Sequence, residues 1–408
     1  MPEAVIVSTA RSAIGRAHKG SLTKVRPDDL AGTIIAAAIA KVPALANVTW
    51  DDLMLGCAQP AGTQGYNIAR VVAELAGIGH VPGVTVNRYC SSSLQTIRMA
   101  AHAIKAGEGD AFIAAGVETV SQFGLGMSDG MPGTHNSRMS AAEARTAERA
   151  TGGAPVWSPL AGHLADYYLG MGQTAENVAQ VENVSREDQD EFAALSQQRA
   201  NAALERGFFE REITGIETTD AEGNPVTVTR DDCIRGGTTK EKLAELKPVF
   251  RPDGTVTAGN ACPLNDGAAA VIVMSDTKAK ELGITPIGRI ISSGISALDP
   301  EIMGLGPIEA CRQAMARAGM TINDIDLVEI NEAFAAQVVP SARHLGISYD
   351  KLNINGGAIA LGHPFGMTGA RIMTTILNAL EDTGGTIGME SMCVGGGQGM
   401  AMIVERLA

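Results

Sequence analysis

Short apolar runs that each hand over to a helix-forming stretch recur at both ends of this 408-residue chain, and that alternation excludes most architectures. Val5-Ile6-Val7, Leu53-Met54-Leu55, Val84-Thr85-Val86 and Ala111-Phe112-Ile113-Ala114-Ala115 read as strands, and Asp28-Asp29-Leu30 opens an alanine-rich helix. The pattern returns from about residue 265, with Ala270 to Met274, Ile287 to Ile291, and Ile325 to Ile330 before a helix. Strands alternating with helices specify an α/β fold. No residue-by-residue repeat links the two stretches, so two similar halves are inferred from architecture alone.

An inserted region separates them. From about 121 to 160 the chain is rich in Gly, Ser, Met and Pro with little periodicity, as expected of a long excursion from the core. Ser185 then caps a charged helix with Glu187 and Asp188 in its first turn and Phe192, Leu195 and Leu204 as apolar positions. A polar, hairpin-like region runs on to about 230. Excursions of this kind carry specificity.

With 45% hydrophobic residues and a mean hydropathy of +0.07, the chain can bury a large core divided among two or three domains. No apolar run approaches the roughly 18 residues of a membrane span, and the strand-like Ala4 to Ser8 leaves no signal or transit segment expected ahead of it. The final residues, Val404 to Ala408, match no peroxisomal or reticulum-retention tail, so a cytoplasmic location is expected. The cysteines at 57, 90, 233, 262, 311 and 393 show neither metal-ligand spacing nor a disulfide framework and read as reduced thiols. A net charge of −13 argues against a nucleic-acid partner. Arg235, Lys240, Lys242, Lys247 and Arg251 form a local basic stretch, suited to a polyanionic ligand or to a solvated surface of mixed charge.

Chemistry concentrates at strand ends. Cys90 closes the run Pro82 to Tyr89 and opens Ser91 to Met99, which places its thiol at a helix N-terminus, where the backbone dipole favours a thiolate. Free cysteine is also a common core residue, but ligands of open α/β sheets sit at the carboxyl ends of strands. His363 stands between glycines in Gly362-His363-Pro364, displayed on a stiff loop as a general base or as a donor to an oxyanion. Cys393 ends an apolar run ahead of Gly395-Gly396-Gly397, whose N–H groups suit an oxyanion hole. Asn331 follows the strand ending at Ile330 and suits holding a water or a carbonyl, or capping the surface.

Asn87-Arg88-Tyr89-Cys90, Asn331-Glu332-Ala333-Phe334, Gly356 to Arg371 around Gly362-His363-Pro364, and Cys393 to Gly399, in that order, resemble the thiolase family over essentially the whole chain. Met171 to Val178, Thr257 to Ala261 and Asn265 to Ala269 extend the likeness. The resemblance implies a five-layered α-β-α-β-α core of two similar halves with an inserted loop domain. Residues 1–121, completed by about 264–285, would form the N-terminal half, 122–263 the CoA-binding loop domain, and 286–408 the C-terminal half.

It also implies cleavage of 3-ketoacyl-CoA by CoA through an acyl group on Cys90, reversible as a Claisen condensation. His363 would help form the thiolate, and Cys393 would carry the proton. His363 and a water on Asn331 would form one oxyanion hole, and the N–H groups of Cys90 and Gly395 the other. Met171, Arg235, Phe250, Ala258, Cys262, Met303 and Phe334 would meet CoA or the acyl chain, with Arg235 at the adenine and phosphate end. Coenzyme A is implied as co-substrate, with no permanently bound cofactor and no metal. A homo-oligomer, dimer or tetramer, is implied, and a place in a multienzyme β-oxidation complex is compatible with activity; no nucleic-acid or membrane partner is.

The chain departs from the family pattern at three places. Ser93 stands where glycine is common, Cys262 where a serine contacts CoA, and Gly170-Met171-Gly172 where short-chain biosynthetic members have His-Met-Gly. The last favours a degradative enzyme over an acetoacetyl-CoA-forming one. A ketoacyl-synthase-type enzyme fits less well, because Cys393 occupies a place usually held there by histidine or asparagine. A non-catalytic CoA- or lipid-binding subunit of the same fold is the remaining alternative.

Overall fold

The computed structural model describes residues 2–220 and 222–408. Strands β1 (Ala4–Arg11), β2 (Gly15–Arg16), β3 (Asp52–Gly56), β4 (Gly83–Val86) and β5 (Ala111–Thr119) precede the excursion, which holds the hairpin β6 (Ile216–Thr219) and β7 (Pro225–Val228). Five follow it: β8 (Asn265–Ser275), β9 (Gly288–Ala297), β10 (Leu327–Ile330), β11 (Ile387–Val394) and β12 (Gln398–Arg406). The first helices are α1 (Pro27–Ala40), α2 (Ile68–Leu75) and α3 (Ser92–Ala106); the excursion adds α4 (Ser140–Ala150), α5 (Met171–Val181), α6 (Arg186–Glu205) and α7 (Lys240–Ala244). The chain ends with α8 (Asp276–Glu281), α9 (Gly306–Ala318), α10 (Ala335–Leu345), α11 (Ala358–Leu361) and α12 (Thr368–Thr383).

The large sheet runs β10-β11-β12-β9-β1-β8-β5-β3-β4, but β1 and β9 touch only through Val5–Arg289 and Ile6–Gly288. That seam divides two sheets of the same connectivity. On one side β4 and β5 flank β3 in parallel, β8 runs antiparallel to β5, and β1 antiparallel to β8. On the other, the Leu352 bridge to Val328 and β11 flank β10 in parallel, β12 runs antiparallel to β11, and β9 antiparallel to β12. Leu352 thus holds the place of β4. The duplication absent from the residues is present in the topology.

Period-two alternation sends successive strand residues to opposite faces, and both faces are covered. Ile6, Val271 and Val273 point to a central layer where α3 (Leu94, Ile97, Ile104) and α12 (Met373, Ile376, Leu380) meet Met392, Met400 and Val404 of the other sheet. Val5, Val7, Ile272 and Met274 face α1 and α2 on one outside. Met389, Ala401 and Ile403 face α9 and α10 on the other. Helix, sheet, helix, sheet, helix is the five-layered order.

Gly369 lets the two central helices touch: a Cβ there would lie 2.6 Å from Leu94 Cβ and closer still to the Leu94 backbone. Overpacking of this kind costs about 1–3 kcal/mol. Gly369→Ala is therefore expected to lower the thermal midpoint in a melting experiment; an unchanged midpoint would show that the helices separate freely.

The excursion is tied back through charge. Arg11, fully buried on β1, pairs with Glu212 at 2.7 Å and Asp231 at 2.9 Å. Two expectations change here. The stretch 121–160 contains α4, whose alanine and charged residues favour helix but bury only Ala142, so no apolar period marks it. Arg251 is no part of a basic surface: it is 4% exposed and bonds Gln173 Oε1 at 2.8 Å and Asn177 Oδ1 at 2.7 Å, anchoring α5.

Candidate active site

A sharp turn after β4 delivers Cys90. Asn87 Oδ1 accepts the Tyr89 N–H at 2.8 Å, and Tyr89 takes the left-handed conformation with φ +43°, a strained geometry for a non-glycine residue. Ser92 Oγ accepts from Arg88 N at 2.9 Å and donates to Tyr89 O at 2.7 Å, locking the turn before α3 begins. The N–H groups of Gly395 and of Cys90 itself favour negative charge on the sulfur. Burial nevertheless dominates and pushes the thiol up to about 12, against the smaller opposite pull of those N–H groups. The residue is 8% exposed, so desolvation opposes the thiolate that a helix terminus favours, and the charge has to be made with help from a base.

Ser93 fits the turn rather than distorting it. Gly56 and Gly116 leave it room, since a Cβ on Gly116 would come within 2.6 Å of Ser93 Cβ. Its hydroxyl accepts the Ala370 N–H at 2.9 Å, one of the otherwise unpaired donors in the first turn of α12. The helix that follows the Cys90 turn is thereby bonded to the helix that follows the His363 loop.

His363 is 1% exposed and held at three points. Its N–H donates to Asn265 Oδ1 at 2.9 Å, its Nδ1 lies 2.6 Å from Thr368 Oγ1, and its Nε2 lies 3.3 Å from Asn331 Nδ2. Thr368 spends its single hydroxyl proton on Pro364 O at 2.8 Å, so it must accept from Nδ1–H. The neutral ring then carries a bare Nε2. Burial and, secondarily, Arg371 lower its pKa to about 3, so the imidazole is uncharged at rest. Asn331 Oδ1 is buried without a partner among the described residues, leaving an acceptor for a water or a substrate group. Glu332 supports the loop, accepting from Ser196 Oγ at 2.6 Å, Asn353 Nδ2 at 2.8 Å and Ile359 N at 3.1 Å.

Cys393 lies at the end of β11, wholly buried, with its sulfur 3.4 Å from the Gln337 side-chain amide. Desolvation raises its pKa well above the ordinary thiol value, and charge on Cys90 or Cys262 would raise it further. The glycines after it are structural necessities: Gly396 and Gly397 both have φ +76°, and a Cβ on Gly397 would strike Leu298 O. Gly395 stacks against the Tyr89 ring. One loop thus brings Cys393 and the Gly395 N–H to the Cys90 turn.

Met303 and Phe334 belong to the core beside Cys393, with Met171, Phe250 and Cys262 packed on its edge. The Phe250 and Phe334 rings meet edge to face at 6.2 Å, and Gly172 has no side chain because the Phe250 ring occupies that space. Cys262 donates its N–H to Ala333 O at 3.0 Å, while burial and then Cys90 raise its thiol pKa. Arg235 and Ala258 stand outside this cluster on an exposed rim. The rim is continuous: Lys242 Nζ bonds Gly237 O at 2.7 Å, and Gly259 sits against Leu243 and Leu246.

Several contributors escape motif reading. Thr368 and Asn265 orient His363, and Gln337 touches Cys393. Gln337 had a signal available, since it lies one helical turn beyond Phe334 and so shares its face. Thr368, five residues after the histidine, had none.

Among the described residues no helix is long and apolar enough to cross a membrane. The model of the thiolase N-terminal domain matches residues 4–277, and that of the thiolase C-terminal domain matches residues 284–406. A 3-ketoacyl-CoA thiolase of Marinomonas sp. is 42% identical over 99% of this chain and 98% of its own. One from Shewanella sp. strain ANA-3 is 43% identical over the full length of both. The crystal structure of the Bacillus anthracis acetyl-CoA acetyltransferase superposes with a TM-score of 0.84 at 37% identity, covering 100% of this chain and 99% of that one. Two cysteines, a neutral histidine and a glycine loop on a duplicated five-layered core, matched along the whole length, make this chain a member of the thiolase family.

Proposed function

We propose that this acyltransferase cleaves 3-ketoacyl-CoA with CoA, releasing acetyl-CoA and a shortened acyl-CoA, in the degradative direction of fatty-acid β-oxidation. The observation that carries the reading is that Gly395, two residues from Cys393, lies against Tyr89 beside Cys90, where its N–H favours negative charge on the Cys90 sulfur. Nucleophile, proton carrier and oxyanion donor then serve one carbonyl.

In this scheme the Cys90 sulfur bonds to the ketone carbon while its proton passes to the bare Nε2 of His363. A raised thiol pKa and a lowered imidazole pKa make separated charge unfavourable at rest, so transfer accompanies attack. The N–H groups of Cys90 and Gly395 hold the oxyanion that forms on the ketone carbon, and the imidazolium, together with a water on Asn331, donates to the oxygen of the departing enolate. Cleavage of the C2–C3 bond leaves an acyl group on Cys90 and an enolate that takes the Cys393 proton. Cys393, now the thiolate, accepts the proton of incoming CoA, whose sulfur displaces Cys90; Cys90 leaves as a thiolate and recovers its proton from His363, while the N–H groups of Cys90 and Gly395 hold the thioester oxygen. The reverse sequence is Claisen condensation.

Coenzyme A serves as co-substrate in this reading, with no resident cofactor. Residues 122–263 form its binding domain, pantetheine passing Met171, Phe250 and Phe334 and phosphates meeting the rim of Arg235, Lys240 and Lys242. A homo-oligomer in the cytoplasm is the proposed setting; the β4 edge, unpaired among the described residues, and Tyr66 beside it, 95% exposed, favour self-association. The test is kcat/KM for thiolysis of acetoacetyl-CoA against longer 3-ketoacyl-CoA esters. Higher values for longer chains support the degradative role. Activity confined to acetoacetyl-CoA would move the chain to the biosynthetic class, and none at all would reject the reading.

A further inference from the structure

Gln337 projects from the first turn of α10 and is 1% exposed. Its amide orientation follows from its neighbours: with Nε2 donating to Asn331 O at 3.1 Å and Oε1 accepting from Val338 N at 3.0 Å, both ends are satisfied. The atom facing Cys393 Sγ at 3.4 Å is then the nitrogen. An amide nitrogen has two hydrogens, one for Asn331 O and one for the sulfur. The arrangement is built into the fold, since Gly304 lacks the side chain that would crowd Gln337 Cβ at 2.7 Å.

Resting on the reading of Cys393 as proton carrier, we infer that Gln337 is a positioning residue that holds the Cys393 sulfur as a hydrogen-bond acceptor and favours its thiolate. A donor to the charged form opposes the desolvation that favours the thiol. The bond also directs any S–H away from Gln337, toward the Cys90 side where the carbon acid must lie. By binding Asn331 O as well, the same amide sets the spacing between the segment that follows β10 and the Cys393 end of β11.

The other groups around this sulfur do not supply such a donor. Cys90 on its turn and Cys262 on the 261–264 segment are thiols whose ionisation would oppose that of Cys393. Cys311 of α9 is wholly buried, with Ser391 the side chain that favours its charged form. Glu301, in the turn before α9, is engaged by Trp157 Nε1 at 2.7 Å and Asp166 N at 2.9 Å. Glu329 of β10 and Glu390 of β11 interact with Arg371 of α12.

The experiment follows exchange of acetyl-CoA methyl protons into deuterated buffer as a function of pH. Gln337→Met keeps length and removes the donor; its exchange midpoint is expected to rise by about one pH unit, the scale of one hydrogen bond to a charged group. Gln337→Glu keeps shape and adds repulsion, so its midpoint should rise further, and it serves alone if the methionine variant does not fold. A lower rate in both variants with an unmoved midpoint would reduce Gln337 to packing and overturn the inference. Cys393→Ala separates the two levels: if it exchanges normally, the proton-carrier reading fails and the inference with it.

Discussion

Cys90→Ala is expected to lower thiolysis by about 10⁴-fold or more, the scale seen when a nucleophile is removed from a covalent mechanism. The expectation comes from position. Every element around the turn, from the strained Tyr89 to the Ser92 bonds and the Gly395 N–H, serves to hold one sulfur at one point. No neighbour can replace it: Cys393 is on another strand and Cys262 is bound into the loop beside Ala333. Intact-protein mass spectrometry after incubation with acetyl-CoA should show one added acetyl group in the native enzyme and none in the variant. Undiminished thiolysis by Cys90→Ala would sink the assignment of the nucleophile.

Cys393→Ala should separate the two half-reactions. Cys90 keeps its histidine and its N–H partners, so slow acylation is expected to persist. Proton transfer at the carbon acid loses its carrier, and α-proton exchange of acetyl-CoA should fall by about 10²- to 10⁴-fold. The histidine does not replace it, because His363, fixed by Thr368 and Asn331, is already engaged as the acceptor of the Cys90 proton. Measuring exchange and acylation on the same preparation makes the result decisive; loss of both together would place Cys393 in the structure of the site rather than its chemistry.

Cys90, His363 and Cys393 were legible because each sits beside residues with local meaning, a strand end, a proline turn or a run of glycines. What surrounds them was not legible in the same way. The protonation state of Cys90 depends on burial contributed by remote segments, which a motif at a helix start does not show. Arg251 looked like surface charge because nothing nearby in sequence shows Gln173 and Asn177 turning toward it. Ser93 looked like a disturbance until its hydroxyl met Ala370, a residue 277 positions away. The two halves share strand order and direction while sharing few residues, so topology carried a repeat that composition could not.

The high pKa of Cys90 also bears on chemical durability. Oxidants and electrophiles attack thiolates, and burial, by pushing the Cys90 thiol well above its ordinary pKa, keeps the thiolate scarce at pH 7. An exposed cysteine would be ionised at the level of a few per cent. The nucleophile is dormant toward peroxide and becomes reactive only when a carbonyl arrives to share its charge with the histidine, so selectivity against damage and selectivity for substrate come from the same buried setting.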